Sequence, residues 1–404
     1  MLKITDFQAL KKVETPFYYY DIDLFNQTAD TAAAISAETG IQIHYSVKAN
    51  TDRRLLEILS SKGFGADCVS GNEVEFAVAC GFKPEDIMFA GVGKTDKEIF
   101  QALQMGIGSF TVESLEEIAI VGEYAGRLGR RVNISLRINP NIDPHTHQYV
   151  TTGLYEDKFG ISDISFDAAM ETMRRYPLID FYGLQFHIGS QIMEVEDVFA
   201  MVCRKANQIV SLFESKGLVV NNIDLGGGLG VDYDDPDGHP IPDFDVWLRT
   251  IKKHLVHRPD QRLHVEPGRA MVAQCGSLIT RVLYVKKGEN RRFLMVDAGM
   301  NDLIRPALYG AYHKIENLTA YYEDENKRKG RVYDVVGPVC ESADTFGTQR
   351  VLVKSYRGDL IAIRSAGAYG QVMASHYNMR PFAPAVYSDR ISEGPRRKDY
   401  FAQQ

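Results

Sequence analysis

Several residues with chemical potential stand where an apolar run of the chain ends. Lys48 closes Ile43-His44-Tyr45-Ser46-Val47-Lys48, and Asp67 lies in Gly65-Ala66-Asp67-Cys68. His187 ends Phe181-Tyr182-Gly183-Leu184-Gln185-Phe186-His187 and is followed by Gly189 and Ser190. Gly226-Gly227-Gly228 follows Leu225, and Glu266 precedes Pro267-Gly268-Arg269. A lysine at the mouth of a closed site is a Schiff-base nucleophile toward a carbonyl; the alternative is a surface lysine closing a strand. Three consecutive glycines carry no side chains to block an anion and can present backbone N–H groups to a phosphate; the alternative is a tight turn. No GK[ST] follows them, so the run is not a Walker loop. The flat ring of His187 can stack on a planar group and Ser190 can donate to a phosphate, although many lone histidines are structural. A carboxylate enclosed at Glu266 needs a partner, because an unpaired buried charge is costly. A protonated pyridine nitrogen meets that need, and so does a structural ion pair with Arg269.

A second group lies further on. Asp297-Ala298-Gly299-Met300-Asn301-Asp302-Leu303-Ile304-Arg305-Pro306-Ala307-Leu308-Tyr309-Gly310 places a bidentate carboxylate fork, Arg305, near the hydroxyl of Tyr309. Cys340-Glu341-Ser342-Ala343-Asp344 puts one thiol and two acids into five positions. With no histidine or second cysteine beside it, this cluster is not expected to hold a metal.

These residues need elements to position them. Apolar strand candidates at 43–48, 65–70, 86–91, 108–112, 131–138, 181–187, 222–226 and 262–266 alternate with helix-like segments at 52–62, 71–80, 95–106, 114–125, 163–176, 195–216 and 243–255. The first four strands start about twenty-two residues apart, room for a strand, two loops and a crossover helix. Eight such units predict a TIM barrel over residues 21–268, with a doubly wound sheet as the competitor. The barrel is favoured because the polar signals fall at the ends of several strands, and because no GxGxxG follows the first strand. After Glu266 the long helices stop, and runs at 276–285, 292–297, 331–336 and 359–363 predict a mainly β domain formed by 269–404 together with 1–20. Glu323 to Lys329 reads as an exposed charged loop and the tail from Pro381 as a lightly packed terminus.

The 404-residue chain has 45% hydrophobic and 25% charged residues and a formal net charge of −7, which argues against a general nucleic-acid binder. Its five cysteines are scattered, without a CxxC, as in a reducing compartment. No stretch has the eighteen or so apolar residues of a membrane span and no signal peptide opens the chain, so a cytoplasmic protein without membrane contact is expected.

HYSVKAN at 44–50, GADCVSG at 65–71, HIGSQ at 187–191, GGGLG at 226–230, EPGR at 266–269, DAGMNDLIRPALYGAYH at 297–313, GPVCES at 337–342 and SAGAYG at 365–370 span nearly the whole chain. Together they resemble the fold-type III pyridoxal-phosphate decarboxylases, and most closely their diaminopimelate-decarboxylating family. The resemblance implies an alanine racemase-like barrel followed by a β domain, with pyridoxal 5'-phosphate as cofactor. It implies decarboxylation of meso-2,6-diaminopimelate to L-lysine and carbon dioxide, the last step of lysine biosynthesis. On that pattern Lys48 holds the cofactor as a Schiff base, with Asp67 near the lysine, His187 stacked on the ring and Glu266 at its nitrogen. Ser190, Gly226, Gly227, Gly228, the backbone near Gly268, and Tyr369 hold the phosphate. Arg269, Arg305 and Tyr309 grip the carboxylate at the far end of the substrate, with Glu341 toward the distal amine; Arg269 and Tyr369 serve both cofactor and substrate. Cys340 is the general acid, and Cys340 with Glu341 enters the site from the second subunit of a homodimer. Phe159-Gly160 matches the family's active-site loop. Asn72, where a glycine is commoner, and Thr345-Phe346, where a Val/Ile-Leu pair is commoner, depart from the pattern without replacing a functional group. The other readings are a decarboxylase of the same class acting on an arginine-, ornithine- or carboxynorspermidine-like substrate, and a non-catalytic pyridoxal-phosphate-binding protein.

Overall fold

A computed structural model describes residues 2–140, 158–323 and 329–393. Most of the expected active-site loop at 150–160, the charged loop after Glu323 and the end of the tail lie outside them. The chain divides into two compact units, one formed by Ala29–Gly230 with Asp243–Arg269, the other by Met1–Thr28, Val231–Pro242 and Ala270–Gln404. The segment Val231–Pro242, inside the range expected for the barrel, therefore groups with the C-terminal unit.

In the first unit eight strands close into a barrel: β2 (Ile41–Ser46), β3 (Gly65–Cys68), β4 (Ile87–Phe89), β5 (Ser109–Val112), β6 (Val132–Ile138), β7 (Ile179–Phe186), β8 (Asn222–Asp224) and β9 (Arg262–Val265). Every neighbouring pair is parallel, and β9 returns to pair with β2. The doubly wound alternative is excluded, since an open sheet has no such closing pair. Strands covered on both faces read as apolar runs rather than alternating ones, which is why they were visible in the sequence. Helices fill the crossovers and start where the side chains dictate. Asp52 accepts from the N–H groups of Arg54 and Leu55, Ser70 from that of Glu73, and Ser114 from that of Glu117. Thr95 and Glu98 form a reciprocal capping box. Each such cap contributes about 1 kcal/mol.

Register assigns the polar residues to layers. His44 stands beside Gly65 and Ser46 beside Asp67; Gln185 stands beside Asp224, and Asp224 beside His264. Because side chains repeat with period two, His44, Asn222 and His264 face the same side as Ser46, Asp224 and Glu266, one inward position lower on β2, β8 and β9. That side is the interior: Gln185 Nε2 on β7 donates to Glu266 Oε2 beyond β9 at 2.9 Å, a bond between strands that are not neighbours. On the lower level the Nε2 of His44 and Nδ1 of His264 are 3.1 Å apart, and burial lowers both histidines below the usual range. Gly65 and Gly183 make room: a Cβ would fall 2.2 Å from His44 Nδ1 at the first and 2.0 Å from the Asn222 carbonyl at the second.

The other unit is built on β10 (Gly276–Lys287), β11 (Arg292–Val296), β12 (Ile315–Asn317), β13 (Gly330–Val336), β14 (Thr345–Val353) and β15 (Leu360–Ile363), ordered β12-β15-β10-β11-β13-β14. The aromatic opening strand β1 (Phe17–Tyr20) pairs antiparallel with β10 and parallel with β16 (Ala385–Tyr387), so the expected contribution of the N-terminus to the β domain is present. Its core gathers Phe7, Leu10, Phe17, Tyr19, Ile279, Leu318 and Leu360.

Candidate active site

At the barrel mouth the strands end earlier than the sequence predicts. The strand expected over 43–48 runs from Ile41 to Ser46, and Lys48 sits on a 3₁₀ turn, Val47–Ala49. The turn presses against Gly268, where a Cβ would lie 3.0 Å from Ala49 Cβ and 3.1 Å from Ser46 Cβ. Lys48 Nζ lies 3.3 Å from Asp67 Oδ2, and the same oxygen accepts from Ser46 Oγ at 2.8 Å. Asp67 is wholly buried whereas Lys48 is partly exposed, so a partly exposed amine is anchored to a buried carboxylate.

His187 follows β7. Its Nδ1 accepts the N–H of Gly227 at 3.2 Å, which leaves the ring proton on Nε2. Burial holds its pKa well below the usual value, and the positive charges of Arg137 and Lys48 act in the same direction, so the ring is neutral at pH 7. Arg137 pairs with Glu113 at 3.1 Å inside the unit, and Glu113 Oε2 also accepts the N–H of Gly160 at 3.1 Å. The guanidinium lies 4.7 Å from the ring centre of Phe159. That ion pair fixes the described end of the expected loop, Phe159-Gly160.

The triple glycine folds back at the end of β8. Gly226 and Gly228 have φ of 68° and 126°, and a Cβ on Gly227 would fall 2.3 Å from the Glu266 carbonyl. Only glycine fits this turn. The N–H of Gly226 is engaged by Asp224 Oδ1 at 2.8 Å, and that of Gly227 by His187. The run therefore brings backbone close to His187, and two of its N–H groups face protein acceptors. Ser190 Oγ accepts from Arg269 Nη2 at 2.9 Å and Nε at 3.2 Å, and it keeps its own proton to donate.

Glu266 is buried beyond β9, with Oε2 held by Gln185 and Oε1 without a hydrogen-bond partner. Burial, then the charges of Asp224 and Asp67, push its pKa well above the carboxylate range. Three buried carboxyls, Asp67, Asp224 and Glu266, thus lie near one lysine. A ring nitrogen would find an acceptor in the buried Glu266 Oε1, and the flat neutral His187 beside a side-chain-free turn suits the ring. The residues present fit pyridoxal phosphate. Asp224 and Gln185 belong to this cluster, and the sequence reading missed both; the available signal was their position, inward-facing on the last turns of strands that already carried glycines and histidine.

The remaining expected residues lie in the C-terminal unit. Arg305 is buried, with Nε 3.4 Å from His313 Nε2 and Nη2 3.4 Å from Tyr233 Oη. His313 Nδ1 donates to the Arg364 carbonyl at 2.8 Å, so its Nε2 is the bare nitrogen that accepts from Arg305. The guanidinium stands 5.6 Å and 5.8 Å from the ring centres of Tyr233 and Tyr309, which fix its plane. Tyr369 occupies a left-handed backbone conformation, φ 53°, in the turn after β15. Cys340 and Glu341 are both exposed, and Cys340 is the one exposed cysteine of five. The Cys340 N–H donates to Asn378 Oδ1 at 3.0 Å, and Glu341 hydrogen-bonds the Tyr377 hydroxyl. Asp344 braces the same loop, accepting the N–H groups of Val339 and Met300 at 2.7 Å each. Asn378 and Tyr377 were also unforeseen, because nothing local links them to a cysteine about forty positions earlier. Among the described residues no cluster can hold a metal, and no helix is long and apolar enough to cross a membrane.

A closed parallel barrel with a lysine, histidine, glutamate and triple glycine at its mouth, joined to a mainly β unit, is the architecture of fold-type III pyridoxal-phosphate enzymes. Residues 25–273 match the family model for the pyridoxal binding domain of pyridoxal-dependent decarboxylases. The chain is 46% identical over 395 residues to the diaminopimelate decarboxylase of Bacteroides thetaiotaomicron, covering 97% of this chain and all of that one. It superposes on the crystal structure of Helicobacter pylori diaminopimelate decarboxylase complexed with L-lysine with a TM-score of 0.86 and 39% identity, over 94% of this chain and 93% of the other. The crystal structure of diaminopimelate decarboxylase from M. jannaschii in co-complex with L-lysine gives a TM-score of 0.85 and 31% identity, over 95% of this chain and 92% of the other. The chain belongs to the diaminopimelate decarboxylase family.

Proposed function

We propose that the protein decarboxylates meso-2,6-diaminopimelate to L-lysine and carbon dioxide in the cytoplasm, as the last step of lysine biosynthesis, with pyridoxal 5'-phosphate as cofactor. The observation that supports this most is the 46% identity over nearly the whole of both chains to a diaminopimelate decarboxylase, joined to a barrel mouth where Glu266 Oε1 is buried without a hydrogen-bond partner. Pyridoxal phosphate, when bound, supplies the carbonyl that captures amines and the ring that accepts the electron pair left by departing carbon dioxide.

The chain's own residues have separable tasks. Lys48 is the nucleophile, and Asp67 holds its Nζ at the mouth. His187, kept neutral, would cover one ring face without adding charge there, and Glu266 would hold a proton at the ring nitrogen, making the ring a better electron sink. Ser190 gives its remaining proton to the phosphate, joined by the turn at Gly226–Gly228, the backbone at Gly268, Arg269 and the Tyr369 hydroxyl. Arg305, oriented by His313 and two tyrosine rings, takes the distal carboxylate with Tyr309 and Arg269. Glu341 takes the distal ammonium, and Cys340 gives its Sγ proton to the α-carbon. Both of these act in the site of the partner subunit in a homodimer.

Discrimination follows from charge. A zwitterionic far end needs an arginine and an acid together, whereas lysine or ornithine offers only an ammonium. Loss of a charge-assisted bidentate contact costs about 1.5–3 kcal/mol, so Arg305→Ala is expected to lower kcat/KM for diaminopimelate by roughly 10- to 100-fold. The preference over lysine and ornithine should shrink by the same factor. Steady-state rates on the three substrates check this; an unchanged preference would remove Arg305 from its assigned role and reopen the ornithine-type reading.

A further inference from the structure

We propose that Asp224 and Glu266 share one proton between their unpartnered oxygens in the cofactor-free protein, and that Asp224 thereby acts as the positioning residue that aims Glu266 at the ring nitrogen. The inference rests on the pyridoxal-phosphate reading of the barrel mouth for its purpose, but not for its test.

Asp224 is the last residue of β8 and 4% exposed. One of its oxygens, Oδ1, accepts the Gly226 N–H, and the other, Oδ2, is buried with no partner. Glu266 repeats the pattern, with Oε2 bonded to Gln185 Nε2 and Oε1 buried and unmatched. The two carboxyl groups, at the ends of the neighbouring strands β8 and β9, lie within hydrogen-bonding reach of each other, with no proton assigned between them. Two ionised carboxylates in that position have acceptors only, so they repel and each leaves an oxygen unsatisfied. A single proton turns the contact into a donor–acceptor bond and satisfies both oxygens at once.

The neighbouring charges favour keeping it. Lys48 and Asp67 are the other ionised groups that act on the pair, and they offset one another. With both Asp224 and Glu266 ionised, these four groups carry −2 in a buried layer; with the shared proton they carry −1. Burial is the main cause raising both groups, Asp224 to about 7 and Glu266 well above its usual value. Backbone geometry holds the pair together: Leu225 N–H donates to the His264 carbonyl at 3.0 Å, and Glu266 N–H to the Gly226 carbonyl at 2.8 Å. Asp224 therefore ties the glycine turn and the ring-nitrogen acceptor into one unit. A ring nitrogen brought to Glu266 would take up the proton that Asp224 had been sharing, and Glu266 would not have to be re-aimed.

Infrared spectroscopy of the full chain freed of cofactor tests this without reference to catalysis. The wild type is expected to show, besides any band from Glu73, whose carboxyl burial raises to about 7, a buried protonated-carboxyl C=O band at neutral pH that titrates away as a single proton at higher pH; a Glu73→Gln background isolates it. Asp224→Asn keeps the size, the Gly226 bond and a donor toward Glu266, and it should lose the band while remaining folded by circular dichroism. Glu266→Gln should lose it as well. A wild-type protein with no such band at pH 7, or a band that survives in both variants, would overturn the proposal. If the band behaves as expected but added pyridoxal phosphate leaves the protein colourless, the proton pair stands and the cofactor reading fails.

Discussion

Replacing Lys48 with alanine is expected to reduce turnover on the order of 10⁴-fold, the scale on which enzymes lose rate when a covalent nucleophile is removed. It should also abolish the yellow absorbance of the purified protein. The argument is geometric as well as chemical. Lys48 is partly exposed, yet its Nζ is fixed at 3.3 Å from a carboxylate that is entirely buried. The ammonium has a buried counter-ion, and its side chain is partly exposed to an approaching carbonyl. Alanine removes the nucleophile and leaves Asp67 without its lysine in a layer that already holds Asp224 and Glu266. The variant should therefore be colourless rather than merely slow. A Lys48→Ala protein that retains wild-type absorbance and turnover would show that the amine at this position is a bystander.

The second large effect concerns Cys340. In its proposed role of returning a proton to the α-carbon, it would be worth about 10²- to 10⁴-fold in rate, the usual range for a positioned acid. Cys340→Ala should lower kcat by that amount with little change in cofactor binding. Because the proposed dimer completes each site with the partner's Cys340 and Glu341, two inactive variants are expected to rescue one another. Mixing Lys48→Ala with Cys340→Ala subunits at equal amounts and allowing exchange should restore about a quarter of the wild-type activity. Half of the random dimers are mixed, and each mixed dimer has one intact site of two. No recovery after demonstrated subunit exchange would place Cys340 in the site of its own chain.

Much of this architecture was legible in the sequence, for identifiable reasons. Barrel strands buried on both faces appear as apolar runs, and serine, threonine and aspartate caps mark the helix starts, so all eight strands fall within a few residues of expectation. Lys48 was displaced onto a turn because apolar Val47 disguises the point where Ser46 ends the strand by bonding Asp67. In the β unit, β14 escaped because Thr345-Phe346-Gly347-Thr348-Gln349-Arg350 is polar and exposed over much of its length, while β12 and β16 are only three residues long. Lysine, histidine, glutamate and triple glycine were readable because each has an unusual residue type at a strand end. Asp224 and Gln185 were not, since their importance comes from register across three strands rather than from local sequence. The partners of Cys340 were hidden for the same reason, as Tyr377 and Asn378 are brought to the cysteine loop only by folding.

The central claim is tested most directly by incubating the pyridoxal-phosphate-loaded protein with meso-2,6-diaminopimelate and quantifying lysine and carbon dioxide together. Equimolar L-lysine and carbon dioxide, formed much faster than the corresponding products from ornithine or arginine, are the predicted result. Carbon dioxide release from ornithine or arginine with none from diaminopimelate would contradict the account.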